Sequence, residues 1–179
     1  MSLFKSSDML VEKMQSESEN DIHIYRFTPS VFRLVPEQLK KHFSNKDKRL
    51  LLFRFIKGYW IYYLAVGDEI CAYNCIKKNY LNRYRFMKKR DVATTPNFTF
   101  PDKRGKGYAT LLFKSIMNDH AVNWKHWWAL IFDWNSSSIA AAQNAGFRKI
   151  GYAKQGQFFI SCIQEQTDLI VYRYDMNNV

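Results

Sequence analysis

The stretch FTFPDKRGKGYATLLFKSIM, Phe98 to Met117, constrains this chain more than any other. It reads as the end of a strand, a tight turn rich in glycine and cations, and then a helix. Phe98 and Phe100 flank Thr99 in the alternation of a half-buried strand, and Pro101, lacking an N–H, forbids further pairing. Beyond the turn, Tyr108, Leu111, Leu112 and Ile116 recur at helical spacing on one face. Arg104, Gly105, Lys106 and Gly107 lie between the two elements. The two glycines let the backbone bend sharply and leave its N–H groups approachable. At a helix N-terminus flanked by cations, such groups receive phosphate. The competing reading is an ordinary strand–helix connection with a solvated basic turn.

A turn of this kind needs a sheet to stand on, and the chain has the means to build one. At 179 residues it is one domain, long enough to bury a sizeable core. Its hydrophobic content of 47% is globular, and its aromatic content of 17% points to a core and cleft made largely of Phe, Tyr and Trp. No apolar run reaches membrane-spanning length. The start, MSLFKSSDML, has neither a signal-peptide core nor a cleavage site, so a soluble cytoplasmic protein is expected. Cys71, Cys75 and Cys162 do not form a disulfide framework, and His23, His42, His120 and His126 have no zinc-like spacing with them. Buried free thiols and no metal are expected. The net charge of +11 is uneven, most of the excess lying in residues 1–90. Such asymmetry suggests an anionic partner, with a solvated surface as the alternative.

Residues 1–20 read as a loose end or a short leading helix. Ile22 to Phe27 alternates as a first strand, and PEQLKKHF from Pro36 begins a short helix with proline in its first turn. RLLLFRFI, Arg49 to Ile56, is ambiguous between strand and helix, with strand preferred. YWIYYLAV-GDE-ICAYNCIKK is a hairpin turning at Gly67 and Asp68. The connection KKNYLNRYRFMKKR, Lys77 to Arg90, carries seven cations and no acid. DVATTPNFTF is the strand entering the phosphate turn, with Pro96 marking a bulge. KHWWALIFDW is a strand buried on both faces. Asn135 caps the helix SSSIAAAQNA, which Gly146 ends. FRKIGYAKQ and DLIVYRYDM close the chain as strands.

The turn also resembles the acyl-CoA signature of the GNAT N-acetyltransferase superfamily, whose core pattern is Arg/Gln-x-x-Gly-x-Gly/Ala. Arg104, Gly107 and Ala109 fill its three fixed places, and Pro101 stands where these proteins often have proline. NSSSIAAAQNAGF, Asn135 to Phe147, resembles the family's second segment, Asn-x-x-Ala-x-x-x-Tyr-x-x-x-Gly-Phe, with Asn135, Gly146 and Phe147 in place. The resemblance covers residues 58–152; the first 57 carry no matching motif. It implies an α/β fold with a mixed, mostly antiparallel central sheet, a splayed parallel strand pair and flanking helices. Residues 21–179 would form a single domain, with an acceptor-side half at about 21–90 and an acetyl-CoA half at about 91–179.

The resemblance further implies acetyl-CoA as co-substrate. Edge N–H groups near Thr99 and Phe100 would pair with pantetheine, one of them polarising the thioester carbonyl. The pyrophosphate would rest on the N–H groups from Gly105 through Tyr108 and Ala109 to Thr110, with Arg104 and Lys106 adding charge and Asn135 bordering the cofactor. An amine would attack directly, without an acyl-enzyme, which calls for a base or a water chain. Asp133 is the candidate base, with a helix N-terminal contact as its competing role; Asp91 is too far along its strand. The tyrosine with which the family often protonates the leaving thiolate is replaced by Ala142. Ser138, one turn before it on the same face, and Tyr152 are the remaining candidates.

The first reading is therefore an N-acetyltransferase for a primary amine on a small, anionic acceptor such as a nucleotide-linked amino sugar, in a monomer or homodimer. The second is a nucleic-acid-binding module in which Arg83 and Arg85 interleave with Tyr80, Tyr84 and Phe86. No RNA-binding signature accompanies that segment. The third is a CoA-binding protein without chemistry, for which Ala142 is the support.

Overall fold

The computed structural model describes residues 11–17, 21–55, 58–79, 82–119 and 123–176. Within them the chain runs as β1 (Val11–Glu17), β2 (Ile22–Phe27), a 3-10 turn (Glu37–His42), α1 (Asn45–Phe55), β3 (Tyr59–Val66), β4 (Glu69–Lys78), β5 (Val92–Thr99), a short 3-10 turn (Pro101–Lys103), α2 (Tyr108–Met117), β6 (His126–Phe132), α3 (Ser136–Asn144), β7 (Arg148–Ala153) and β8 (Leu169–Asp175). The strands form one sheet in the order β1-β2-β3-β4-β5-β6-β8-β7. Neighbours are antiparallel except β5 and β6, which are parallel. This is the expected mixed sheet with one parallel pair.

Strand alternation sends side chains to two faces. Tyr62, Leu64, Ala72, Ile76 and Trp127 lie on the first, under Leu112, Phe113 and Ile116 of α2 and Ala141 and Ala142 of α3. The three α2 side chains are no more than 2% exposed, and burying each contributes ~1.5–3 kcal/mol. Tyr25, Phe27, Tyr63, Tyr73 and Cys75 lie on the second face, with Leu39, Phe43 and Leu51. Further along that face Ala93, Trp128 and Val171 are covered by Tyr84, Met87 and Ile160, which come from the connections. The free cysteines Cys71 and Cys75 are both buried, and no described helix is long and apolar enough to cross a membrane.

Two stretches differ from expectation. Val11–Glu17, within the presumed loose end, is an edge strand paired with β2 from Val11↔Phe27 to Glu17↔Ile22. Backbone pairing holds it, and backbone pairing leaves no mark in a hydrophobic pattern. RLLLFRFI, expected to be a strand, belongs to α1 as far as Phe55. β2 pairs directly with β3, so no edge is open between them. Leu51 is the buried side of this helix, packed in the second-face cluster, and Leu52 is exposed. The segment after Pro36 is helical as expected, but as a single 3-10 element.

Candidate cofactor site and reaction cleft

β5 stays paired with β4 as far as Ala72↔Thr99, yet meets β6 only at Val92↔Trp127 and Ala93↔Trp128. β6 meanwhile remains paired with β8 out to Phe132↔Leu169. The parallel strands therefore part beyond Ala93. The bend has a cause in the register. Asn74 pairs with Asn97 and Ile76 with Thr94, so Thr95 and Pro96 stand against Cys75 alone. That is a bulge, which turns its strand away; Pro96, with no N–H to offer a ladder, sits inside it. At the closed end the Trp127 indole donates to Thr94 Oγ1 at 2.7 Å, tying the strands where they separate.

The unpaired edge of β5 has an assignable polarity. Phe100 N–H donates to the Cys71 carbonyl at 3.0 Å, and Phe98 shares that register against Tyr73. Backbone groups at these two positions therefore face β4, and alternation turns those of Asn97 and Thr99 toward the gap. This corrects the expectation at Phe100, whose amide is committed within the sheet. Asn97, whose amide faces the gap, is the candidate beside Thr99. Nothing in the sequence marks it, because the direction of an amide depends on a register the residue types do not encode. Arg104 Nε donates to the Thr99 carbonyl at 3.3 Å, linking the turn back to the strand edge.

The turn has the geometry its glycines permit. Gly105 and Gly107 both have φ of 77°, and nothing lies within 4 Å of a Cβ placed on either. Gly107 is the N-cap of α2; no side chain caps the helix and its first turn holds no acid. The first amides of α2, at Tyr108, Ala109 and Thr110, thus point out of an uncapped N-terminus, and helical bonding begins with Leu111 N–H to Gly107 O at 3.0 Å. Arg104 and Lys106 are exposed beside them. Lys103 is engaged elsewhere: its hydrogen bonds to Glu69 and then Asp102 raise its pKa well above the ordinary lysine value. An uncapped helix N-terminus of this kind could hold a polyanion on its backbone donors, and Arg104 and Lys106 are the cations beside it.

Across the gap, β6 leads into α3. Asn135 Oδ1 accepts from Ser138 N–H and Ser137 Oγ, both at 3.1 Å. Its oxygen is therefore used as a helix cap, which leaves Asn135 setting the start of α3. Ser138 is half-buried in that first turn, and Asp133 is exposed at the end of β6. Ala142 is completely buried, so the position of the usual tyrosine is filled core. Tyr152 belongs to β7 at the far edge of the sheet, beyond β8, where its ring and hydroxyl meet Lys149. The structure does not bring it to the gap, which corrects the proposal drawn from its nearness in sequence. Asp91 is 1% exposed and accepts from Trp128 Nε1 and Lys88 N at 2.9 Å, with His126 Nδ1 at 2.8 Å. It serves the closed end. No group of residues suited to hold a metal occurs among the described residues.

His42 is a candidate the sequence did not reveal. It ends the 3-10 turn and packs edge-on against Phe100, ring centres 4.5 Å apart, beside the open end of β5. Burial, and then Lys41, lower its pKa below the ordinary histidine value, which favours the neutral imidazole. The basic connection is also sorted by the fold. Lys77 is buried and donates to Tyr84 Oη at 3.0 Å, while Arg83 and Arg85 are exposed, Arg85 lying 3.9 Å over the Phe159 ring. Tyr84 is buried and Phe86 packs against Trp128 at 4.7 Å. Those rings are core, not a base-stacking platform. Tyr80 lies outside the described residues.

No family model and no curated protein matches the sequence. Solved structures do match. A ribosomal L7/L12 alpha-N-protein acetyltransferase, RimL, superposes with a TM-score of 0.63 at 14% identity over 94% of this chain and 100% of its own. The chain has the GNAT fold. A GNAT-family protein from Desulfovibrio desulfuricans gives 0.57 at 12% identity over 86% of this chain and 99% of that one. Spermidine N-acetyltransferase from Vibrio cholerae, solved with CoA and spermine, gives 0.57 at 12% over 86% and 95%. The extent of the RimL match carries the GNAT fold into the first 57 residues, where no motif is legible.

Proposed function

We propose that the protein is an acetyl-CoA-dependent N-acetyltransferase acting on a primary amine of a small-molecule acceptor. One observation carries this reading: an uncapped helix N-terminus with two left-handed glycines runs straight into a strand edge left unpaired by a bulge. A donor with a polyanionic head and an amide-bearing tail fits that sequence of groups. The head rests on N–H groups from Gly105 to Thr110, and the tail follows Thr99 and Asn97 into the gap. The Asn97 N–H, fixed before reaction, stabilises charge developing on the thioester oxygen. The amine arrives from the second face, between Phe98 and the connection carrying Arg83 and Arg85. His42 and Asp133 are the bases on either side of the opening. With Ala142 in the tyrosine position, the thiolate leaves with help from no more than Ser138 or water, which a CoA thiolate tolerates. RimL and the spermidine enzyme, by their names, act on amines, which supports the class of acceptor.

An anionic acceptor is the finer part of the proposal, supported by exposed Arg83, Arg85, Lys88, Lys89 and Arg90. A screen of primary amines with acetyl-CoA, followed through thiol release, tests the reading. Turnover with phosphate- or carboxylate-bearing amines is the expected result. CoA binding with no turnover of any amine would reduce the protein to a CoA-binding module.

A further inference from the structure

The basic connection and the connection between β7 and β8 meet over the second face. Tyr84 and Ile160 form a parallel bridge there. Arg85 N–H donates to the Ile160 carbonyl at 2.9 Å, and Ile160 N–H donates to the Arg83 carbonyl at 2.6 Å. The Tyr84 and Ile160 side chains are both buried. Alternation along extended backbone therefore turns their neighbours Arg83, Arg85 and Phe159 outward. The Arg85 guanidinium lies 3.9 Å over the centre of the Phe159 ring. Phe158 meets that ring edge-on, with centres 4.9 Å apart.

Phe158 and Phe159 remain 60% and 45% exposed. Adjacent large rings left in water mark a contact site more than a core. The ground around them is open. Gln157 and Ser161, which bracket the two rings in sequence, line a cavity of about 620 Å³ together with Lys154 and Glu165. A bare phosphate would use the arginines and leave the rings idle; a neutral aromatic ligand would do the reverse. A nucleotide uses both, its base against a ring and its phosphates on the guanidinium groups. A longer nucleic-acid strand would need further rings along the connection, but Tyr84 is buried and Phe86 packs on Trp128. The footprint is that of one nucleotide.

We propose that Arg83, Arg85, Phe158 and Phe159 form a site for the nucleotide part of a nucleotide-linked amine acceptor. The inference rests on the acetyltransferase reading and gives its anionic acceptor a chemical class. The ledge belongs to the second face, the side from which the amine arrives. Its four residues determine specificity and take no part in the transfer itself.

The test is calorimetric titration of uridine diphosphate into the wild type, Phe158→Ala, Phe159→Ala and the Arg83→Gln, Arg85→Gln double variant. Acetyl-CoA is kept at saturation throughout, so that the turn before α2 is occupied and cannot be what takes up the probe. Saturable binding to the wild type is expected, with uridine and ribose 5-phosphate each about tenfold or more weaker. Phe159→Ala should bind uridine diphosphate about fivefold or more weakly, the loss of a stacked ring. The double variant should lose affinity and most of its dependence on salt. Affinity for acetyl-CoA should be the same in all four proteins. Displacement of uridine diphosphate by acetyl-CoA, or unchanged affinity in Phe159→Ala, would overturn the proposal. Equally tight binding of a hexaglutamate peptide would do so too, by making the ledge a dock for acidic peptides. Should Phe159→Ala fail to fold, the more exposed Phe158 decides the matter. A wild type that binds acetyl-CoA but not uridine diphosphate defeats this inference alone. One that does not bind acetyl-CoA defeats the acetyltransferase reading itself.

Discussion

Gly107 combines a φ of 77° with open space where a Cβ would stand, so its replacement tests ligand contact more than packing. Gly107→Val forces a β-branched residue into the left-handed region and costs stability as well. Gly107→Asn is the cleaner variant, because asparagine tolerates that region while still placing a side chain over the first amides of α2. We expect it to weaken acetyl-CoA binding at least about tenfold with little change in unfolding midpoint; normal affinity would remove the turn from the site. Ala142 makes the opposite case. Completely buried among α2, α3 and the sheet, it has no room for the tyrosine common in relatives of this fold. Ala142→Tyr should lose roughly 1–3 kcal/mol in urea unfolding without raising turnover; a stable, faster variant would mean that the family's acid can simply be restored. The glycine turn was legible because its chemistry is local: two glycines, cations and a helix start suffice. Asn97 and His42 were not, since the direction of an edge amide or a ring against Phe100 exists only once the register is set.

Among the elements, α2 is tied to the sheet at its far end by Asp119, which holds Arg26 and Tyr62 in the core. Removing the carboxylate leaves a guanidinium buried without its counter-charge, and Asp119→Ala should cost about 3–5 kcal/mol in denaturant unfolding; a change below about 1 kcal/mol would show that water replaces it freely. The basic connection is an element of another kind. Its buried member Lys77 is structural, so the acceptor test belongs to Arg83 and Arg85. Changing both to Gln should raise the Michaelis constant of an anionic acceptor, leave that of acetyl-CoA alone, and do so less as salt is added. Unchanged constants would make the exposed cations a solvated face. The central hairpin, the β5 bulge at Pro96 and the Asn135-capped α3 could be read from turn and cap residues. β1 and α1 could not. The first is held by backbone bonds, and the second has an apolar run whose period is too short to separate strand from helix.

At the scale of the molecule, the sheet's closing strand ends in Asp175 between Arg148 and Arg173. Burial, the largest influence, works to raise its pKa, but the two arginines together lower it. A folded-state pKa below the unfolded value means that its stabilising contribution is present above the ordinary carboxylate pKa of about 3.9 and is lost as pH falls through the native value. The difference in melting temperature between the wild type and Asp175→Asn should therefore be full at pH 6 and shrink below about pH 4; a constant difference would mean that the ion pairs contribute nothing. The whole architecture converges on one opening, where α2 begins, β5 is unpaired and β6 diverges. The most direct measurement is titration of acetyl-CoA into the folded wild-type protein by calorimetry. Saturable binding of one acetyl-CoA per chain, with a dissociation constant on the order of 1 μM to 1 mM, is the result expected; the absence of any binding heat or thermal stabilisation at millimolar acetyl-CoA would contradict the account.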